Sequence, residues 1–407
     1  MLSFPTLVSR FLLYRVVSRF SFYVPIFVVA LLAAGFSFGA VGGILFVYGV
    51  ATMLFGGLAR RVLSSGGPAM TIALGEVAKL GSNALIGGGL LAGDALTVSQ
   101  AVGVLIAAQV LGGVGYCLAA VGDGSFLAHA GRLTDAPSEV QTRAQARSSS
   151  YMFMSFLAAG CVGAVVFQIN PALPFFMTSA ANLAAALVAI AGLRLAAPAK
   201  TTAGTQKADA GRLTFAAWLE LVSYSFMRAV VLTLQLLILP VWFFLDLKIE
   251  VAFFGVLFGL YTFSGFLGGR FFPRLAERFG ARGALAAVVG VTLASMLGLG
   301  LGSTLWVTVL APVGMFCAAG MLRPAYLPLL TQAPTATGGT TNAVPQAEQV
   351  FGALSAAAYL ACGLAFQSGW TPQQLVLGST AFVAGVFALR AFLSTVGAPV
   401  AQPDSID

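Results

Sequence analysis

From Thr97 to Gly122 the chain reads "TVSQAVGVLIAAQVLGGVGYCLAAVG", with no charged side chain. Apolar stretches of similar length recur from end to end. A helix of about 20 such residues crosses the ~30 Å hydrocarbon layer of a bilayer. Lipid offers the backbone no hydrogen-bond partner, so a spanning segment must satisfy its own amides as a helix does. A membrane β-barrel would show short alternating segments instead, and these blocks do not alternate. The 407 residues could make two or three soluble domains, but 59% hydrophobic and 8% charged residues exclude a soluble chain. The expected fold class is an all-α polytopic membrane protein.

Breaks at glycine, proline and charge divide the chain into twelve expected spans: 12–35, 38–59, 69–93, 97–122, 149–169, 173–195, 213–245, 251–272, 283–303, 305–330, 346–369 and 372–395. Arg10, Arg15 and Arg19 run into the first apolar block in the manner of a secretory signal. The small-residue site at Ala33 and Ala34 is poor, however, and a retained first helix is expected. With the N-terminus placed in the cytoplasm, the basic residues gather on inner loops and inner helix ends, among them Arg60, Arg61, Arg132, Arg143, Arg147, Arg274 and Arg278. Of the outer loops only one holds a cation, Lys248. This asymmetry obeys the positive-inside rule and requires an even number of spans, which puts both termini in the cytoplasm of a bacterial inner-membrane protein. The net charge of +8 then faces the cytoplasmic leaflet and the lipid bilayer, and no nucleic-acid partner is needed to explain it.

The chain also repeats itself. An aromatic-rich stretch leads to Pro25, then to Tyr48, glycines and "LARR" (58–61). Half a chain later come Pro240, Tyr261, glycines and "LAER" (275–278). "GYCLAAVGD" (115–123) likewise matches "GMFCAAGMLR" (314–323). The predicted organisation is an N-terminal six-helix bundle (1–196), a small-residue cytoplasmic linker (197–212), a pseudo-symmetric C-terminal six-helix bundle (213–396) and a tail (397–407). Repeats of this kind mark secondary transporters.

With "GGLARRVLSSGG" (56–67) after span two and "RLAERFGAR" (274–282) after span eight, nearly the whole chain resembles the major facilitator superfamily. That family carries a loop of the form G-x-L-A-D-R-x-G-R-R at these two places. The resemblance implies alternating access between two bundles. It also implies a gating role for Arg60, Arg61, Glu277, Arg278 and Arg282, with Arg278 and Arg282 as the basic partners of Glu277. Arg60 stands where the family has an acid, so the first loop departs from the pattern. Span five lacks the glycine-proline signature of the drug/proton antiporters, and span four lacks their arginine.

Charges within spans are expensive and point to function. Arg15 and Arg19 lie in the inner third of span one and either snorkel or face inward. Asp123 is near the inner end of span four, Glu220 and Arg228 are on span seven, and Arg323 is deep in span ten. The resemblance implies that spans one, four, seven and ten line the central cavity, which makes Arg19, Asp123, Glu220, Arg228 and Arg323 candidates for substrate binding or coupling. Arg323 either binds substrate, pairs with Asp123 or snorkels. Glu76 and Lys79, three apart on span three, can pair on one helix face. The surplus of arginine suggests an anionic small-molecule substrate, because guanidinium groups bind carboxylate and phosphate bidentately. Arginine does not release its proton, so a coupling proton needs an acid: Asp123 first, then Glu220.

The expected function is therefore proton-coupled export of a polar anionic metabolite, such as a carboxylate siderophore, by a monomer. Import of an organic anion or nutrient is the alternative. A membrane enzyme or a non-transporting receptor is more distant, since the chain has one histidine, no gathered acids, no long loop and no Walker sequence. Cys117, Cys161, Cys317 and Cys362 lie in apolar blocks without CxxC spacing and read as packing residues, so no metal or cofactor is expected.

Overall fold

The computed structural model describes residues 3–193, 212–302 and 304–396. Most of the linker expected at 197–212 and the tail at 397–407 lie outside the described residues. In chain order the helices are α1 (Phe4–Val17), α2 (Phe27–Ala33), α3 (Phe38–Ala92), α4 (Val98–Leu133), α5 (Ser138–Ile169), α6 (Leu173–Gly192), α7 (Phe215–Thr233), α8 (Leu239–Val241), α9 (Val251–Leu301), α10 (Leu305–Thr331), α11 (Val344–Gln367) and α12 (Pro372–Val396). Among the described residues, ten helical segments are long and apolar enough to cross a bilayer. Large apolar side chains such as Leu54, Ile169, Val256 and Trp306 point outward, as a lipid-facing surface requires.

Two very long helices each contain a pair of spans. A straight helix of the length of α3 would extend roughly 80 Å, far more than a bilayer. It folds back at Gly67, where φ is 73°, followed by Pro68. Its two arms run side by side: Gly112 of α4 lies against Ser82 of the second arm, while Gly113 lies against Tyr48 of the first. α9 does the same at Gly280, where φ is 69°. Left-handed backbone of this kind strains any residue with a Cβ. The two glycines are as far apart in sequence as Tyr48 and Tyr261, so the sequence repeat is also a backbone repeat. Counting both arms of α3, and the opening stretch through α1 and α2 as one pass, the fold is compatible with the twelve spans expected and with two similar bundles.

The expected first span, 12–35, is not one helix. α1 ends at Val17 and α2 begins at Phe27, with turns between. Pro25 removes a backbone donor and disfavours helix at Val24, which weakens a helix there without forbidding one, since α10 runs through Pro312, Pro324 and Pro328. The corresponding place in the second half behaves differently: around Pro240 the chain stays helical but widens into π-helical turns at Leu234–Ile238 and Trp242–Asp246. Both irregular segments adjoin the centre of the molecule, where non-helical backbone is tolerated because protein surrounds it. α4 runs on to Leu133, ten residues past Asp123.

The halves meet along two helix pairs. α3 packs on α11 where Gly42 faces Gly363 and Gly49 faces Ala356; a Cβ on Gly42 would come within 2.8 Å of the Tyr359 carbonyl oxygen. α5 packs on α9, from Ala164 against Gly255 at one end to Ser150 against Gly269 at the other. The polar loop 331–349, which carries no lysine or arginine, contains a small hairpin: Ala333–Pro334 (β1) pairs with Thr340–Thr341 (β2). It is held by backbone bonds to the start of α7, with Ala336 N donating to Arg212 O at 2.8 Å and Thr214 N to Pro334 O at 3.1 Å. Such a loop needs no basic anchor.

Candidate functional site

A cavity of about 240 Å³ lies between the halves. The helix break after α1, together with α4, α7 and α10, forms much of its wall, and α3, α5, α6 and α11 complete it. Four cationic side chains line it, Arg19, Lys79, Arg228 and Arg323, and no described lining residue is acidic. The acids stand one layer behind, each bound to the cations in front.

Asp123 is fully buried and serves three arginines. Its Oδ2 accepts from Arg15 and, at 2.9 Å, from Arg19, while its Oδ1 accepts from Arg323 at 2.6 Å. Arg19, four residues after Arg15, sits in the break between α1 and α2. Arg323 therefore pairs with Asp123 across the two halves. Neither Arg15 nor Arg19 snorkels: Arg15 is fully buried, and the side chain of Arg19 is 11% exposed and faces the cavity.

Arg228 occupies a second cluster two turns up α4, where Tyr116 lies about 10 Å from Asp123 along the helix axis. Glu348 of α11 holds it bidentately at 2.7 and 3.0 Å, and it donates to the Tyr116 hydroxyl at 2.7 Å. The guanidinium centre lies 4.8 Å from the Tyr224 ring centre and 4.3 Å from that of Phe351. Both π faces attract the cation, and the planar group is fixed by the fork of Glu348.

The third cluster belongs to the N-terminal half. Glu76, fully buried, accepts from Tyr14 at 3.0 Å, from Lys79 at 2.8 Å and from Asn182 at 2.8 Å, and Asn83 donates to Asn182 at 3.1 Å. Sequence spacing identified the Glu76–Lys79 pair but not its place on the cavity wall. Glu348 was visible only as the acid that opens span eleven. Nothing in the spacing ties it to Arg228, 120 positions away.

Other candidates lie elsewhere. Glu220 faces Arg390 of α12 at 2.5 Å and does not line the cavity. Arg60 and Arg61 end the first arm of α3, exposed. Glu277 pairs at 3.2 Å with Arg143 of α5, not with Arg278, whose guanidinium lies over the Phe279 ring. α5 begins at Ser138, about three turns before the expected span, and brings Arg143 to that contact. Both partners are more than three-fifths exposed, so the pair adds little to stability. The side chain of Arg282 lies outside the described residues.

No family model matches the chain. No curated protein matches its sequence. Solved structures do match its fold. The human organic anion transporter MFSD10 is 15% identical with a TM-score of 0.67, over 97% of this chain and 100% of that one. A bacterial homologue of the iron transporter ferroportin, in an outward-facing state, is 17% identical with a TM-score of 0.64, over 96% and 99%. A D-xylose–proton symporter is 13% identical with a TM-score of 0.65, over 93% and 96%. The chain shares the fold of these solved transporters over nearly its whole length.

Proposed function

We propose that the protein is a secondary active transporter that carries a small anion by alternating access, with the cavity between its halves as the substrate site. The observation that carries this reading is the cavity wall: four cations and no acid among the described lining residues. Arg19 and Arg323 meet the substrate, and Lys79 and Arg228, each paired to its own acid, hold the sides. The likeness to an organic anion transporter supports the same reading.

The finer proposal is proton-coupled export from the cytoplasm of a bacterium, with both termini inside. Asp123 is the coupling group. Its carboxylate joins α4 to Arg323 of the other half, so protonation would loosen that link. Glu220 is the weaker candidate, because its partner Arg390 lies away from the cavity wall. The halves 1–196 and 213–396 act as the moving bodies, and the protein works as a monomer.

The test is purified protein in proteoliposomes, given labelled citrate, succinate and glycerol 3-phosphate, with labelled xylose as the neutral control. At least one anion should move, faster when a proton gradient is imposed, and Asp123→Asn should remove the acceleration. Movement of xylose and of no anion would overturn the substrate reading. Gradient-independent movement of an anion would overturn the coupling.

A further inference from the structure

The cationic surplus of the cavity is concentrated at one point. In the wall and behind it are five cations, Arg15, Arg19, Lys79, Arg228 and Arg323, and three acids, Glu76, Asp123 and Glu348. Lys79 with Glu76 and Arg228 with Glu348 are two neutral pairs. What remains is three guanidinium groups around the single carboxylate of Asp123, a local excess of two positive charges.

Hydrogen bonding at that point is also short of acceptors. Each guanidinium offers five N–H groups, and an aspartate offers about four lone-pair positions. The Nε atoms of Arg15, Arg19 and Arg323 are all buried without an acceptor among the described residues. Arg15 turns one Nη to the thioether sulfur of Met152 at 2.8 Å, a weak acceptor. Buried donors left unserved are costly, and more so when they are charged. Arg15 is sealed behind the others, while Arg19 and Arg323 open on the cavity.

We infer that the substrate of this site carries one doubly charged oxyanion head, of the phosphomonoester class, on a small polar body, and that the head docks between Arg19 and Arg323. This rests on the anion-transport reading and narrows it. A phosphomonoester near neutral pH brings close to two negative charges and three strong acceptor oxygens to one place. A single carboxylate offsets half of the excess, and two carboxylates at opposite ends of a molecule put their second charge against pairs that are already neutral. The amides of Asn83, Gln109, Asn182 and Gln235 on its wall suit a hydroxylated body.

Binding to the purified full-length protein in detergent separates the possibilities, with glycerol 3-phosphate, sulfate, succinate, lactate and xylose as probes. Glycerol 3-phosphate and sulfate should bind at least tenfold more tightly than lactate. Between pH 8 and pH 5 glycerol 3-phosphate affinity should fall about tenfold relative to that of sulfate, which is doubly charged throughout, because the second ionisation of the phosphomonoester near pH 6 is lost. Arg15→Gln removes one charge without touching the cavity wall and should narrow the preference for sulfate over lactate. Should that variant fail to fold, the sulfate and phosphate pH series on the unaltered protein decides alone. Lactate as tight as sulfate, or succinate tight with the tetrahedral anions weak, overturns the doubly charged head and leaves anion transport standing. Binding of xylose and of no anion overturns both.

Discussion

Arg228 shows what one cavity residue is required to do. Its guanidinium centre lies over the Tyr224 and Phe351 rings, and its N–H groups are taken by Glu348 and Tyr116, so it is a fixed part of the wall. It also links the halves, since Tyr116 belongs to α4 and Glu348 to α11. Removing the cation altogether leaves Glu348 buried with no counter-charge, a change that costs on the order of 3–5 kcal/mol. Arg228→Ala should therefore lower thermal stability as well as transport. Lysine keeps the charge but loses the bidentate fork and the flat stacking surface. Arg228→Lys should fold with a melting point close to that of the parent and transport at least tenfold more slowly in proteoliposomes. Unchanged turnover in Arg228→Lys would show that the geometry of the group, as distinct from its charge, is irrelevant. The charges themselves were legible in the sequence, because an arginine in an apolar run is conspicuous. Their partners were not: Arg228 and Glu348 come together only when α7 packs on α11 within the C-terminal half, and no local spacing records that.

At the scale of elements, the sequence located the helices by composition and missed how some of them are built. The run 12–35 is apolar enough to span, and apolarity is blind to the break at residues 18–26, where Arg19 lies. Pro25 and Pro240 were visible as a repeated pair, yet one breaks its helix and the other widens it, a difference set by neighbours in space. Close approach of helices was legible only as a wealth of glycine. On α3, Gly42 and Gly43 are adjacent in sequence but face opposite environments: a Cβ on Gly42 meets Tyr359 O at 2.8 Å and the Gly363 Cα at 2.9 Å, whereas nothing lies within 4 Å of one on Gly43. Gly42→Leu should force α3 and α11 apart, with transport at least tenfold lower and a reduced melting point. Gly43→Leu, directed away from that contact, should match the parent within twofold in both measurements. Equal tolerance at the two positions would mean that the α3–α11 contact is looser in the membrane than it is here.

The whole molecule is two similar bundles whose contacts are short on one pair of faces and charged in the middle. The repeat was legible because Gly67 and Gly280, and the sequences around them, do the same backbone task in each half. The cavity was not, since it belongs to neither half alone. Alternating access requires the α5–α9 contact to open at one end during part of the cycle. At the basic end of that contact Ser150 Oγ stands 2.7 Å from where a Cβ on Gly269 would lie, close enough for a disulfide to bridge the two positions with little backbone movement. In a background with Cys117, Cys161, Cys317 and Cys362 replaced by alanine or serine, Ser150→Cys with Gly269→Cys should transport when reduced. Oxidation should stop it, and reductant should restore it. Each single cysteine should be indifferent to oxidant. If the cross-linked protein, verified by its shifted mobility, transports as fast as the reduced one, the two halves do not part at this end, and the substrate must reach the arginines of the cavity by a route that leaves the bundles where they stand.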